Sequence, residues 1–249
     1  MVARKYFPDS DDIRLLVSRG MVIKSSFNHK FGAVPAMSQN QTGTVWDIND
    51  TLYPWSALDT PAVVNIERNA VEDNGLSVTV QGLDENYELA EDTISITGAD
   101  QTGTQLFRRV NRAFVTDGAS TNVGNIDIEA GAAGGTTVAR ITAGKGQTLM
   151  AVYTVPAGKT GYIYKGVMTA QSGADANGNM FVRYFGQDTF RIGHSFEVTG
   201  SGGKYEYEFV FPIPIPEKSD IDIRATTRSN NGRYTAAFDI LLIDNSAES

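Results

Sequence analysis

From residue 62 onward, apolar and polar positions alternate along the chain. Leu76, Val78 and Val80 are separated by Ser77, Thr79 and Gln81, a period of two that predicts a strand with one buried face. "AVVNIERN", "YELAEDTISITG", "TQLFRRVNRAFVTD", "GNIDIEA" and "TVARITAG" read the same way. The stretch 82–86, "GLDEN", carries turn chemistry. Short strands at this spacing, parted by glycine-rich turns, predict an all-β sandwich over residues 61–145.

A second β block begins near residue 146 with "QTLMAVYTVPAGKTGYIYKGVMTAQSG" and continues through "NMFVRYFG", "TFRIGHSFEV", "KYEYEFVFPIPIP", "SDIDIRATTR" and "YTAAFDILLID". "GADANGN", "GSGGK" and "RSNNGRY" read as hairpin tips, with Asn231-Gly232 as the strongest turn signal. Residues 146–249 are therefore expected to form a second sandwich, jelly-roll-like or immunoglobulin-like in strand order.

Residues 1–60 differ. "DSDDIRLLVSRGMVI" is compatible with one short helix, with Ser10 or Asp11 as N-cap and Gly20 as stop. The following stretch shows no period of 2 or 3.6, yet it holds Trp46, Tyr53 and Trp55. Solvated linkers are poor in aromatics. An extended arm lying on its own β-domain or on a neighbouring subunit is the expectation, with Trp46, Tyr53, Trp55, Arg14 and Arg19 as candidate interface residues. Arg4, Lys5, Arg14, Arg19, Lys24 and Lys30 make this part locally basic, interrupted by Asp9, Asp11 and Asp12. Such a stretch is either a solvated arm or a tail that docks on an acidic partner.

In "FVFPIPIP", Pro212, Pro214 and Pro216 fall at alternate positions. Within a strand they would remove three backbone donors from one lateral edge. The expectation is an edge strand blunted against pairing, with Phe209, Phe211, Ile213 and Ile215 turned inward.

Composition removes several classes of chemistry. There is no cysteine, which excludes disulfides and thiolate metal sites. A net charge of −8 argues against general nucleic-acid binding. No apolar run reaches the ~20 residues of a membrane span, and the N-terminus lacks a signal peptide's apolar core, so synthesis in a cytosol is expected. The two histidines, His29 and His194, lie in no nucleophile-elbow pattern. "AGKT" at 157–160 lacks the earlier glycine and the following helix of a phosphate loop, and reads as a turn. The oxygen-rich run 175–179 lacks the twelfth-position glutamate of a calcium loop, where Gly186 stands. No catalytic, cofactor or metal residue is assigned.

"RVNRAFVTDGASTNVGNIDIEAG", "ITAGKGQTLMAVYTVPAGKTGYIYKG" and "VFPIPIPEKSDIDIRATTRSNNGRYTAAFDILLI" together resemble a group of tailed-bacteriophage virion structural proteins, frequent among marine phages. The likeness runs from about residue 76 to the end. It implies a non-enzymatic, β-rich particle component located in the virion. The reading that follows is a head decoration (cement) protein, bound to the major capsid protein and to copies of itself as a trimer. A tail, neck or fibre-attachment component is the alternative within that class, and a carbohydrate-binding sandwich module is the alternative outside it.

Overall fold

The structure, a computed structural model, describes residues 13–117, 121–199 and 203–247. It opens on α1 (Ile13–Ser18). Gly20, at φ +67°, ends the helix as the sequence predicts. Its N–H donates to the Val17 carbonyl at 2.8 Å and the Met21 N–H donates to Leu16 at 2.9 Å, the bond pair of a glycine C-cap. The expected N-cap residues Ser10 and Asp11 lie outside the described residues.

Apart from three short 3-10 turns (Trp55–Leu58, Val71–Asp73 and Asn245–Ala247), strands account for the rest of the regular structure among the described residues, and the fold is all-β. In chain order they are β1 (Ser25–Met37), β2 (Thr42–Thr44), β3 (Val64–Arg68), β4 (Ser77–Leu83), β5 (Leu89–Ser95), β6 (Asp100–Thr102), β7 (Arg109–Asp117), β8 (Ile126–Ala130) and β9 (Thr136–Ile141), then β10 (Val152–Thr154), β11 (Lys159–Ala170), β12 (Ala176–Arg183), β13 (Arg191–Val198), β14 (Lys204–Ile215), β15 (Asp220–Thr227) and β16 (Gly232–Asp244).

Two sheets, ordered β1-β16-β11-β14 and β10-β15-β12-β13, enclose one core that includes Val34, Met37, Met168, Met180, Ile215, Ile221, Tyr234 and Ile240. This is the double Greek key of an eight-stranded jelly roll. The alternative immunoglobulin-like order is not the one adopted. A second pair of sheets, β6-β3-β8-β9 and β5-β4-β7, encloses a separate core around Val64, Val78, Val80, Phe107, Ile126 and Ile128. The strands of that smaller sandwich lie between Val64 and Ile141, and its core also takes in Trp46, Tyr53, Trp55, Leu58, Met150 and Val152, outside 61–145.

The two bodies are not arranged in tandem behind an arm. β1, in the expected arm, is the first strand of the jelly roll and pairs with β16 from Ser25↔Ile243 to Met37↔Gly232. β2 and β10 occupy one lane beside β15. Thr44 stands opposite Arg224, and Val152 stands opposite Asp222. Between them the lane is spliced. Val45 N–H donates to the Ile223 carbonyl (2.8 Å), Ile223 N–H to the Ala151 carbonyl (3.2 Å), and Ala151 N–H to the Val45 carbonyl (2.9 Å). The smaller sandwich is thus an insertion in the middle of the second jelly-roll strand. The arm lacked a visible period because its one long strand is bulged and its remainder crosses from one core to the other. Val45 and Ala151 belong to the jelly-roll core, whereas Trp46, Met150 and Val152 belong to that of the insertion.

Three expected hairpin tips connect sheets instead. The turns after β11, β13 and β15 each pass the chain from one face of the jelly roll to the other. Turn-forming residues bend the chain equally well in either setting.

β14 is the outermost strand of its sheet, which places Pro212 and Pro214 in a terminal strand, while Pro216 lies just past its end. The inward face differs from expectation at one residue. β14 pairs Glu208 with Lys165 and Ile213 with Ile163, so residues 209–212 bulge opposite Tyr164 alone. The extra residues break the period of two. Phe209 and Ile213 pack against the core and Ile215 is buried in it, but Val210 and Phe211 are 84% and 87% exposed.

Phe211→Ala should accordingly change unfolding free energy by less than ~0.5 kcal/mol, while Phe107→Ala in the insertion core should cost ~3–5 kcal/mol. Gly32→Ala should be among the most damaging small substitutions. A Cβ there would stand 2.2 Å from the Val45 carbonyl oxygen and 2.4 Å from the Ala151 nitrogen at the splice. Chemical denaturation of the three variants checks the ranking.

Candidate functional site

β15 alternates with purpose. Ile221, Ile223 and Ala225 face the jelly-roll core, while Asp220, Asp222 and Arg224 face the insertion. Both carboxylates are buried there. Asp220 accepts from Arg109 Nε (3.0 Å) on β7, from Thr154 Oγ1 (2.6 Å) and from Arg183 Nη2 (2.6 Å). Asp222 accepts from Thr44 Oγ1 (2.9 Å), Trp55 Nε1 (3.1 Å) and Arg224 Nε (2.9 Å). Burial pushes the Asp222 carboxyl above the usual range, against the pull of Arg224 and its hydrogen bonds. For Arg109, burial opposes the charge but Asp220 overrides it, and the guanidinium is held more firmly than usual. Every carboxylate oxygen of this seam accepts from a donor of the chain.

Trp55 sits among these cations. The Arg109 and Arg183 guanidinium carbons each lie 5.7 Å from its ring, and Tyr53 meets it edge-on at 4.7 Å. Trp46, Tyr53 and Trp55 are 2%, 5% and 7% exposed. They are not surface anchors for a neighbouring subunit, because the insertion core and the seam of their own chain consume them. Arg14 and Arg19 stay at the surface, with Arg14 Nη1 bonded to Glu208 at 2.9 Å. α1 lies across the outer face of the jelly roll, over Phe27, Tyr164 and Leu241. Ile13, Leu15, Met21 and Ile23 are exposed near it.

The histidines stand apart from each other's partners. His29 Nδ1 lies 2.5 Å from Asp239, on the surface. His194 bonds the Tyr205 hydroxyl at 2.7 Å within an aromatic group that includes Phe196, Tyr207 and Phe209, and burial lowers its pKa. Among the described residues no three His, Asp or Glu side chains are grouped as a metal site would need.

At the neck of the insertion, Asp47 accepts from the Leu149 N–H (2.5 Å) and the Thr142 hydroxyl (2.9 Å). Burial raises its pKa from 3.8 to about 6, against those bonds and the nearby Arg140 and Lys145.

A cleft of about 540 Å³ opens between β1 and the insertion, lined by Asn28, Lys30, Gln81, Glu91, Arg112 and Gln147 among others. Lys30, 6% exposed, donates from Nζ to the Asn111 carbonyl. Burial and the nearby Arg112 bring its pKa down to about 7. Sequence reasoning counted Lys30 only among the basic residues of an arm. Its burial depends on the insertion folding against β1, which no local pattern signals.

Asp222→Ala would leave Trp55, Thr44 and Arg224 without their acceptor and should cost ~3–5 kcal/mol. Asp47 makes a pH-dependent contribution of defined sign. Between about pH 4 and pH 6 the folded chain holds a proton that the unfolded chain has released, so this stability is present in acid and lost as pH rises through about 6. The unfolding free energy of the wild type relative to Asp47→Asn should fall by ~2–3 kcal/mol between about pH 4 and about pH 6.5. Denaturant melts across that range measure it.

No protein-family model matches the chain, and no curated protein sequence does. Among solved structures, infectious bursal disease virus, Gt strain, aligns over 94% of this chain and 78% of its own at 11% identity, with a TM-score of 0.23. The VP2 subviral particle of infectious bursal disease virus covers 94% and 77% at 11% identity and a TM-score of 0.23. The T13 particle of the same virus covers 90% and 70% at 10% identity and a TM-score of 0.26.

Proposed function

We propose that this chain is a non-enzymatic virion structural protein, a capsid decoration protein of a tailed phage that binds the major capsid protein and neighbouring copies of itself as a trimer. The observation that carries the reading is the bulge of β14. Val210 and Phe211 project into solvent at 84% and 87% exposure, on a terminal strand that also holds Pro212 and Pro214. Large apolar side chains are presented outward where strand addition is hindered. Such a surface suits docking by side chains into a partner's pocket. Strand exchange would use the backbone instead. The jelly roll suits the role, being recurrent in capsid subunits, although the same architecture serves lectins and cupins as well. The resemblance of residues 76 to the end to phage particle proteins points the same way.

A Val210→Ser, Phe211→Ser double variant should melt like the wild type and lose at least about tenfold in affinity for undecorated particles, equivalent to ~1.4 kcal/mol. Co-sedimentation with particles measures this. Unchanged binding by the folded variant would remove the bulge from the interface. A particle reconstruction with the chain confined to the tail or neck would favour the alternative within the class.

A further inference from the structure

The cleft between the jelly roll and the insertion carries an arrangement that the particle role does not use. Two cations, Lys30 on β1 and Arg112 on β7, face it, and among the described residues neither has a carboxylate partner. Lys30 Nζ donates to a backbone carbonyl, and Arg112 Nη2 donates to Gln147 Oε1 at 2.8 Å while its guanidinium lies 4.7 Å from the Phe114 ring. Both line the same cleft, and an anion seated there would offset their mutual repulsion and let Lys30 keep its proton. One of them is also almost wholly buried, where an unpaired charge is costly.

The same wall carries a polar row across the insertion's sheet. Gln81 on β4 is in register with Glu91 on β5 and with Arg112 on β7. Gln81 Nε2 donates to Glu91 Oε2 at 2.7 Å, which leaves the Gln81 carbonyl oxygen and the second Glu91 oxygen as acceptors. The side-chain amide groups of Gln147 and Asn28 add donors, and Phe31 adds an apolar face. Strands lie about 4.8 Å apart, so the row from Arg112 to Glu91 spans roughly 10 Å. That matches a sugar ring and its substituents. The volume, about 540 Å³, is within the range of small-molecule sites.

We infer that this cleft binds an acidic saccharide, with the ligand's carboxylate between Lys30 and Arg112 and its hydroxyls along Gln81 and Glu91. A carboxylate seated there supplies the missing counter-charge, and the amide and carboxylate acceptors take the hydroxyl protons. Binding also restores the Lys30 proton. Burial and Arg112 hold this amine near a pKa of about 7, so a bound anion raises it and affinity increases as pH falls through that value. The other titratable and charged groups facing Lys30 are Arg112 from β7, His29 on its own strand beside Asp239, Glu91 from β5 and Tyr153 from β10.

The test is calorimetric titration of the whole protein with glucuronate, glucose and inorganic sulfate. Glucuronate should bind at least about tenfold more tightly than glucose or sulfate, and at least about tenfold more weakly to the exposed-site variant Arg112→Gln. Its affinity should drop between about pH 6 and about pH 8 with proton uptake on binding. His29→Gln should keep that pH dependence and Lys30→Met should abolish it. Arg112→Gln keeps the test informative if Lys30→Met fails to fold. No saturable binding of glucuronate, or full binding by folded Arg112→Gln, overturns the assignment. Glucose binding as tightly as glucuronate overturns the role of the cations, and sulfate matching glucuronate overturns the saccharide. Particle binding by these variants should stay at the wild-type level, which separates this site from the β14 bulge.

Discussion

The chain depends on one continuous lane of backbone hydrogen bonds beside β15. A central strand with an unpaired side would leave buried donors and acceptors unsatisfied. β15 meets this need with two chain segments far apart in sequence, β2 and β10. The ring of bonds among Val45, Ile223 and Ala151 closes the gap between them. Other features follow from that closure. β1 must pass directly over it, which only a residue without a Cβ permits, and Gly32 stands there. Side chains on either side of the splice alternate between two hydrophobic cores, so a change of register at the neck would disturb both.

The seam between the bodies is held by charge as well as by apolar contact. Asp220 and Asp222 gather donors from the jelly roll, the insertion and the crossing segment. Buried ion pairs are weak evidence for net stability, since desolvation opposes them. Their geometric demands are strict, however. Arg109 and Arg183 must approach Asp220 from different bodies at once. The relative placement of the bodies is thereby tied to specific atoms. A rigid seam also keeps the cleft wall of β4 and β7 at a set distance from Lys30.

Much of the local structure was legible in sequence. The alternation at Leu76, Val78 and Val80 gave β4, Gly20 gave the end of α1, and the turn chemistry after Leu83 is present, with Asp84 Oδ1 accepting from the Asn86 and Glu88 N–H groups. Non-local facts were not. "SDIDIRATTR" reads only as one more strand, yet the face that carries Asp220 and Asp222 is buried because another body covers it. Trp46, Tyr53 and Trp55 looked like anchors for a partner, and they serve that purpose within the chain. The bulge that turns Phe211 outward leaves no trace in composition. Lys30 could not be distinguished from five other basic residues near the N-terminus until the insertion was seen packed against it.

The splice has a kinetic consequence. Before the insertion folds, Val45 and Ala151 are joined by a long flexible loop, and bringing them together carries its full closure entropy. Once the insertion has folded, its own ends hold the two residues a hydrogen bond apart, and the jelly-roll lane can form as though the chain were nearly uninterrupted. Folding is therefore expected to be hierarchical, with the inserted body first and the pairing of β1 with β16 last, since that pairing joins the most distant parts of the chain. The same proximity of ends makes the insertion exchangeable. A different body, or a short turn, could occupy that place without altering the register of any jelly-roll strand, provided that something else covered the charged face of β15.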